Sequence, residues 1–375
     1  MLTNGPEGVK APETDLASAA DRSRTSAERP RSALALAPAL ESIPGLEVVY
    51  GAPLAPLTTL RIGGPAEVLA TAHTQRALVA LLRLTSSEGV PLHLLGLGSN
   101  VLYPDQGLDG VVARLGGVFS RTRILGDLRS GSPAPPEDHL NETPGHANTP
   151  AILRVRAGGA VPLPRLARST ASRGLLGLEA FSGFPSSVGG AVVMNAGCYG
   201  VEIKDVLVWA TALHRDGRRQ RYRVGDLEAS YRKTALQGAG VVVATATFQL
   251  RRGDAGTALA RIEELNRKRW ASLPSGLPNA GSIFRNPAGD HAGRLIEAAG
   301  LKGRSSGGAQ ISPKHANVIV NLGDARADDV LALMTLARAT VRDAFAVELE
   351  PEIVLEGSLR ERWSSERAGE RAGPP

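Results

Sequence analysis

Apolar residues recur at helical spacing in several stretches of the chain. Thr74 suits the N-cap of a helix, and Leu78, Leu81 and Leu82 after it fall on one helical face. The same spacing predicts four more helices, and Gly174 and Gly300 end the first and the third of them. These helices are Pro164–Arg173, Thr257–Trp270, Ala292–Ala299 and Ala327–Ala344.

Strand patterns alternate with these helices. Short apolar runs predict strands at Pro91–Leu95, Val111–Leu115, Ile152–Ala157, Leu207–His214, Gln220–Val224 and Val241–Leu250. The dipeptide Asp216-Gly217 predicts a hairpin turn between the fourth and the fifth of these runs.

A last predicted strand, Val347–Leu355, has two unlike faces. Apolar residues alternate with Glu348, Glu350 and Glu352, and Pro351 marks an edge or a bulge. Three carboxylates on one face favour a solvated edge over an active-site face by about two to one.

Three polar stretches lack any periodicity. Residues 1–42 and 359–375 are predicted to be disordered tails. Residues 121–150 are predicted to be a long surface loop, which joins the flanking strands Val111–Leu115 and Ile152–Ala157 as a hairpin.

Composition narrows the class of protein. With 375 residues, 42% apolar and 21% charged, the chain is typical of a globular protein of two or three domains. No apolar run approaches the roughly 18 residues that span a bilayer, and no secretory signal is visible, so we expect a cytoplasmic protein without membrane insertion. The net charge of +6 is dispersed and aromatic residues are only 4%, which argues against a nucleic-acid partner. The single cysteine, Cys198, excludes a disulfide framework and a cysteine metal cluster.

Glycine-rich segments carry the first candidate chemistry. Leu95–Asn100 follows a strand directly, and its glycines let backbone N–H groups approach a phosphate, with Ser99 and Asn100 beside them. Val101 occupies the third glycine position of a Rossmann fingerprint, so this segment alone favours a tight turn by about two to one. Thr58–Ala66 and Gly177–Gly197 are also rich in glycine. The loops at 95–100 and 186–190 together predict a ligand with a diphosphate and a flat body, such as a dinucleotide.

A polar turn, Pro278–Pro287, presents Ser282 beside Arg285. The chain has no G-x-S-x-G elbow at this turn, so a hydrolase triad is not indicated. A lone serine after glycine is ordinarily a turn or capping residue.

In this order, the segments resemble the UDP-N-acetylenolpyruvoylglucosamine reductase (MurB) family of peptidoglycan synthesis. The resemblance covers roughly residues 57–357, and its most specific matches are Pro185–Gly200, the turn at Ser282, Gly307–Ala309 and Ser312–Asn317. The short stretch between Arg232 and Ser282 is similar to that of the family's second type.

The resemblance implies an α+β fold with three parts. A two-part FAD-binding region of the vanillyl-alcohol oxidase type is expected at residues 43–115 and 116–252. A C-terminal α+β substrate domain is expected at residues 253–358.

The resemblance also implies the reaction. NADPH reduces bound FAD, and the flavin passes hydride to UDP-N-acetylglucosamine enolpyruvate, which yields UDP-N-acetylmuramate. The partners implied are the UDP-sugar and NADPH, without metal or nucleic acid, and the protein is expected to be a monomer.

Residue roles follow from matching the family's motifs. Arg232 would clamp the substrate carboxylate, Glu352 would hydrogen-bond the charge that develops there, and Ser282 would donate a proton to C2. Implied FAD contacts are Thr59, Arg61, Gly63, Gly64, Gly96, Gly98, Ser99, Asn100, Ser186, Ser187, Gly189, Gly190, Asn195, Ala196 and Gly197. Weaker matches suggest substrate contacts at Tyr231, Arg285, Asn286 and His315.

Three alternatives stay open at this point. They are an oxidase of the same fold, a nucleic-acid-binding protein and an impaired paralogue, and the joint presence of Arg232, Ser282 and Glu352 argues against the first and the third.

Four positions depart from the family pattern. Arg285 replaces a common Lys, which keeps the charge, and Asn279 replaces a frequent Ser. Val354 replaces a usual Arg, which puts one substrate contact in doubt, and Cys198 replaces a usual Ala, where a small buried thiol is favoured over a flavin link.

Overall fold

The computed structural model of the protein describes residues 32–127 and 151–371. Eight α-helices lie in these residues: α1 (Ala37–Glu41), α2 (Gln75–Ser87), α3 (Leu163–Ala171), α4 (Val188–Val193), α5 (Ala255–Ser272), α6 (Ala292–Ala298), α7 (Ala327–Phe345) and α8 (Ser358–Arg371).

Eighteen strands lie in the same described ranges. They are β1 (Leu46–Pro53), β2 (Pro65–Ala72), β3 (Leu92–Leu94), β4 (Val101–Leu102), β5 (Leu108–Leu115), β6 (Thr122–Asp127), β7 (Ile152–Gly158), β8 (Leu175–Leu176), β9 (Gly197–Cys198), β10 (Val201–Glu202), β11 (Leu207–Leu213), β12 (Arg219–Arg223), β13 (Val242–Arg252), β14 (Asn279–Ser282), β15 (Ser305–Ser306), β16 (Ala309–Ile311), β17 (Val318–Asn321) and β18 (Val354–Leu355).

Three larger sheets organise these strands. The first has the order β1-β2-β5-β3 and is parallel except between β1 and β2. The second is antiparallel, with the order β12-β11-β13-β7-β6 and β8 beside β13. The third, β14-β17-β16-β15, carries Ser282 at the end of its first strand. The parallel pair of β4 with β18 ties the end of the chain to the segment that follows β3.

Helix α2 forms as the sequence pattern predicts. The Thr74 Oγ1 accepts a hydrogen bond from Ala77 N at 3.1 Å, which satisfies one of the free donors of the first turn. Leu78, Leu81 and Leu82 are fully buried with residues of the first sheet. Burial of each such side chain contributes about 2 kcal/mol.

The C-terminal part has its own apolar core. Helix α7 buries Val330, Leu333, Met334 and Val341 in one cluster with residues of α6 and of the third sheet. Leu60, Ile62 and Leu102 join the same cluster, so it reaches the segments around β2 and β4. This shared core holds the glycine-rich loops and the Ser282 turn at fixed positions.

Both predicted tails are partly ordered, so their boundaries were wrong. Residues 33–36 form a 3-10 helix that runs into α1, and Ala33, Leu36 and Leu40 are buried against the first sheet. Helix α8 buries Leu359 and Trp363 in the C-terminal core. The buried apolar residues of both helices are three or four positions apart, so they lie on one helical face. Residues 1–31 and 372–375 lie outside the described residues.

The hairpin predicted around residues 121–150 was also wrong. Strand β7 pairs with β6, which lies inside the predicted loop, whereas Val111–Leu115 pairs in parallel with β2 and β3. The polar residues of β6 hid a strand that lies at the edge of its sheet. Residues 128–150 of that predicted loop lie outside the described residues.

Only the last two residues of the predicted strand Val347–Leu355 form a strand. The alternation nevertheless holds, because Leu349, Ile353 and Leu355 are buried. No helix within residues 32–127 and 151–371 has both the length and the apolar character that crossing a bilayer requires.

Candidate active site

A cavity of about 640 Å³ lies between two of the glycine-rich loops. Its walls include Gly96, Gly98, Ser99 and Asn100 from one loop, and Ser186, Ser187, Gly189 and Gly190 from the other. The loops approach closely, since a Cβ on Gly96 would lie 2.7 Å from the Ser187 Oγ. The volume is within the roughly 300–1,000 Å³ range of small-molecule sites.

The loop at residues 96–100 keeps its backbone donors available. Within the described residues, none of its five consecutive N–H groups donates to a protein acceptor. Gly98 has a φ of +65°, and a Cβ there would lie 2.1 Å from the Leu57 carbonyl oxygen. Thr59 N donates to the Gly98 carbonyl at 2.9 Å, which holds the loop against the preceding segment. A row of free N–H groups beside a cavity is an anion-binding arrangement.

In the loop at residues 186–190, the N–H groups of Gly189 and Gly190 bond within the protein, although we expected this loop to supply free donors. Gly189 N donates to the Gly159 carbonyl at 2.9 Å, and Gly190 N donates to the Ser187 Oγ at 3.2 Å. The Ser186 hydroxyl donates to the Ser187 carbonyl. These bonds start α4 and fix it against the second sheet.

An ion pair of Arg232 with Glu352 lies next to the cavity walls. The Arg232 Nε donates to the Glu352 Oε1 at 2.7 Å, and the two side chains are only 16% and 13% exposed. Arg232 has a positive φ of 55°, and its Nη2 donates to the Gly197 carbonyl at 2.8 Å. The carbonyl of Arg232 accepts from Gln237 Nε2 at 2.9 Å. The guanidinium is therefore held from two sides, and within the described residues its Nη1 donates to no protein acceptor.

Burial raises the pKa of Glu352 above its ordinary value, against the opposing charges of Arg232 and Arg285. Its backbone is fixed on both sides, because Glu352 N donates to Ile283 O at 2.7 Å and its carbonyl accepts from Asn100 Nδ2 at 3.0 Å. Glu352 therefore links the Ser282 turn to the anion-binding loop.

The turn that presents Ser282 is clamped by a buried amide. Asn317 is 3% exposed, its Oδ1 accepts from Phe284 N at 2.9 Å, and its Nδ2 donates to Phe284 O at 2.8 Å. Gly281, with a φ of +72°, turns the chain just before Ser282 and faces open space. The Ser282 hydroxyl donates to no acceptor in the described part of the chain. Sequence reasoning gave Asn317 no role, although it stands in a quoted motif.

Comparisons with known proteins agree with this geometry. The family model described as UDP-N-acetylenolpyruvoylglucosamine reductase, C-terminal domain, matches residues 273–355, and the FAD binding domain model matches residues 143–223. UDP-N-acetylenolpyruvoylglucosamine reductase 2 of Symbiobacterium thermophilum is 43% identical over 306 residues, which are 81% of this chain and 91% of the relative. The chain belongs to the UDP-N-acetylenolpyruvoylglucosamine reductase family.

Two further matches extend over most of both proteins. The reductase of Rubrobacter xylanophilus is 40% identical over 82% of this chain and 95% of its own. The crystal structure of UDP-N-acetylenolpyruvylglucosamine reductase (MurB) from Thermus caldophilus matches with a TM-score of 0.64 and 34% identity, over 83% of this chain and 99% of that chain. The predicted family, fold class, enzyme class and FAD cofactor are thereby confirmed. The cavity with its row of free N–H groups suits the diphosphate of FAD.

Some of the FAD contacts that the resemblance implies do not line the cavity between the loops at residues 96–100 and 186–190. Thr59 and Arg61 line a separate open depression of about 440 Å³, together with Leu97. Gly63 and Gly64 are half-buried and pack against neighbouring backbone. Gly64 N donates to Pro104 O, and the carbonyls of both glycines accept from the segment at residues 54–55. A Cβ on Gly64 would lie 2.2 Å from the Asp105 carbonyl oxygen, so close backbone packing explains this glycine.

Asn195, Ala196 and Gly197 support Arg232 instead of lining the cavity. Asn195 has a φ of +41° and is 1% exposed, and its Nδ2 donates to both Glu202 Oε2 and Ser230 O at 3.0 Å. Ala196 is buried, and Gly197 provides the carbonyl that accepts from Arg232. These bonds connect the segment after α4 to the turn that carries Arg232.

The four implied substrate contacts lie in different surroundings. The Tyr231 ring is 47% exposed and lies 5.2 Å from the Arg232 guanidinium carbon. The Arg285 Nε is buried and has no hydrogen-bond partner among the residues that the structure describes, and the Arg285 charge acts on Glu352. The Asn286 Oδ1 accepts from Ala292 N at the start of α6. Burial lowers the pKa of His315, whose Nδ1 accepts from Asn317 N at 3.3 Å.

Two of the departures from the family pattern, Cys198 and Val354, also have defined places. Burial raises the pKa of the Cys198 thiol to about 11, and its Sγ donates to Ala180 O at 3.0 Å. Val354 lines the cavity and is 36% exposed. Within the described residues, no group of His, Cys, Asp and Glu side chains could hold a metal ion.

Proposed function

We propose that this protein reduces UDP-N-acetylglucosamine enolpyruvate to UDP-N-acetylmuramate, with NADPH as the hydride donor and FAD as the carrier. The observation that carries this proposal is the buried Arg232–Glu352 ion pair beside the Ser282 turn and the anion-binding cavity. Bound FAD supplies the hydride that adds to C3 of the enolpyruvyl group.

Arg232 binds the substrate carboxylate. Its Nε donates to Glu352 and its Nη2 donates to the Gly197 carbonyl, so its Nη1, which bonds to no acceptor in the described part of the chain, is the donor left for the carboxylate. Electrons flow into the carboxylate as hydride adds, and the fixed guanidinium stabilises that charge where it forms.

Glu352 acts on the same charge in its neutral form. Burial raises the pKa of Glu352, and a substrate carboxylate bound to Arg232 partly neutralises the positive charge that lowers it. A protonated Glu352 then donates a hydrogen bond to the developing dianion.

Ser282 donates the proton that C2 receives. Its free hydroxyl stands on a turn fixed by Asn317, and the next residue accepts a hydrogen bond from Glu352 N. A hydroxyl is a weak acid, but a carbanion-like centre is a strong enough base to take its proton. Arg285 and Arg232 lie near enough to act on Glu352, so the same cations stabilise the alkoxide that remains.

Residues 43–115 and 116–252 are assigned to FAD binding and residues 253–358 to substrate binding, with α1 and α8 packed on the first and the last of these parts.

All three reacting side chains belong to one chain, which supports action as a monomer. UDP-sugars and NADPH are cytoplasmic metabolites, which supports a cytoplasmic location. Light scattering of the purified protein measures the predicted monomer mass.

The test is an anaerobic flavin measurement. The purified holoprotein is reduced with NADPH, UDP-N-acetylglucosamine enolpyruvate is added, and the visible flavin spectrum is recorded. We expect reoxidation only after that substrate arrives. A flavin that ignores the substrate and reacts rapidly with oxygen would indicate an oxidase and contradict the proposal.

A further inference from the structure

The C-terminal helix α8 contributes Arg360 to the lining of the cofactor cavity. Leu359 and Trp363 are buried, and the Trp363 ring lies 6.2 Å from the Phe284 ring and 4.3 Å from the Arg338 guanidinium carbon. These contacts dock α8 on the C-terminal core. Arg360, next to Leu359, consequently lines the cavity.

Arg360 is held by a carboxylate that also holds a histidine. Its Nη2 donates to Glu356 Oε2 at 3.3 Å and its Nε donates to Leu355 O at 3.2 Å. The same Glu356 Oε2 lies 2.9 Å from His93 Nδ1, and these two side chains are 13% and 18% exposed. Within the described residues, Arg360 Nη1 donates to no protein acceptor. The guanidinium is thus oriented by protein contacts and keeps donors for a ligand.

The backbone brings this cluster close to the anion-binding loop. Val354 N donates to Asn100 O, and Glu356 N donates to Leu102 O, both at 3.1 Å. The cavity is lined by Arg114, Arg215 and Arg360, against the single carboxylate Glu356. Positive charge beside a row of free N–H groups favours a ligand with more than one negative charge.

We propose that Arg360 binds the diphosphate of the FAD in this cavity, with Glu356 and His93 as positioning residues. A guanidinium presents paired N–H donors that match phosphate oxygens, which an ammonium does not reproduce. Arg360 has this role only if the cavity holds FAD, as proposed above, so the test must separate loss of the contact from absence of the cofactor.

Full-length wild-type holoprotein is compared with Arg360→Gln and Arg360→Lys. The matched control is Arg362→Gln, because Arg362 stands on the same helix, bonds to Asp328 and is absent from the cavity wall. Release of FAD on dilution is followed by flavin fluorescence to obtain Kd. Thermal unfolding midpoints report whether α8 stays docked, and riboflavin binding reports the part of the affinity that is independent of phosphate.

We expect Arg360→Gln to weaken FAD binding about tenfold, as the loss of one charge-assisted contact implies. Arg360→Lys should lie between it and the wild type, because lysine keeps the charge but not the fork. Arg362→Gln should bind FAD like the wild type, and riboflavin should bind all four proteins alike.

Three results would overturn the proposal. Equal FAD affinity in Arg360→Gln and Arg362→Gln would show that Arg360 does not bind the cofactor. Equal losses for FAD and riboflavin would assign Arg360 to packing. A raised KM for NADPH with an unchanged Kd for FAD would assign it to the hydride donor. Wild-type protein that retains no FAD would contradict the proposed function itself. A loss of FAD affinity confined to the Arg360 variants concerns only the role of Arg360.

Discussion

The cofactor cavity and the Arg232–Ser282–Glu352 site are built in different ways. The cavity offers mainly backbone donors, since within the described residues the N–H groups of residues 96–100 have no protein acceptor. The reacting site binds through side chains, and Arg232 and Glu352 are already bonded to each other before any substrate arrives. The two regions meet at Asn100, whose Nδ2 donates to the Glu352 carbonyl.

This difference assigns FAD affinity to the cavity and the reduction of substrate to the Arg232–Ser282–Glu352 site. Backbone donors are insensitive to most side-chain changes, so the cavity depends on glycines that permit its shape. Fixed side chains stabilise charge at one point, so the reacting site depends on a few residues and their supports. Variants in the cavity should change FAD binding, and variants in the reacting site should change turnover with FAD still bound.

Apart from Ser282→Ala, the largest effect is expected for Glu352→Leu, which removes the carboxyl and leaves no hydrogen-bond donor in its place. We expect flavin reoxidation by the enolpyruvyl substrate to slow about 10²-fold or more. The neutral form of Glu352 prevails below its raised pKa, so the wild-type rate should fall as pH rises through that value. Stopped-flow reoxidation over a pH series checks this, and a variant that keeps the same alkaline decline would show that another group titrates.

Asn317→Ala should release the Ser282 turn. Phe284 would lose both bonds to the buried amide, and misplacement of the turn by about 1 Å costs on the order of 10²-fold in rate. The control is Asn321→Ala, because Asn321 is equally buried but bonds to Leu60 O, away from the turn. We expect similar losses of thermal stability but a slow reoxidation only in Asn317→Ala, with kcat changed more than KM. Equal rates of flavin reoxidation in the two variants would show that Asn317 has only a structural role.

Gly98→Ala tests the cavity side of the comparison. A Cβ at Gly98 would lie 2.1 Å from Leu57 O, so the loop must move, whereas Gly89 has a similar positive φ and open space around it. We expect FAD affinity to fall about tenfold or more in Gly98→Ala, and to stay unchanged in Gly89→Ala despite about 1 kcal/mol of backbone strain. Flavin content after gel filtration measures the difference, and equal retention would contradict the role of this loop.

The smallest effect is expected for Cys198→Ala. Because burial raises the thiol pKa to about 11, almost no thiolate is present at neutral pH to react with a flavin. Turnover should stay within about twofold of wild type, and FAD should be released on denaturation without a covalent link. A flavin that stays attached to the denatured wild-type protein, but not to the variant, would contradict this expectation.

Local pattern predicted the regular elements but not their partners. Helix α2 and the β11–β12 hairpin follow from caps, turns and apolar spacing, which are local signals. The pairing of β7 with β6, and the docking of α8 through Trp363, depend on residues far apart in sequence and were missed. Near the ends of the chain the apolar spacing is present, at Ala33, Leu36 and Leu40 and at Leu359 and Trp363, but it is too short to distinguish a docked helix from an unstructured tail.

The site shows the same limit. The order of motifs was enough to select Arg232, Ser282 and Glu352, and the structure brings their segments together. The assignment of Gly63 and Gly64 to FAD stays a prediction, because glycine permits both close ligand approach and the close backbone packing seen at Gly64. The hydrogen bonds of Asn317 to Phe284 could not be predicted, because a sequence does not show which asparagines are buried.

Ser282→Ala, measured in separate half-reactions, tests the central claim most directly. NADPH should reduce the flavin of the variant as fast as that of the wild type, because the cavity is untouched. Reoxidation by UDP-N-acetylglucosamine enolpyruvate should slow by about 10³-fold or more, because the proton donor to C2 is absent. Unchanged reoxidation in the variant would contradict the assignment of Ser282, and equal slowing of both half-reactions would contradict the division of binding and chemistry between the two regions.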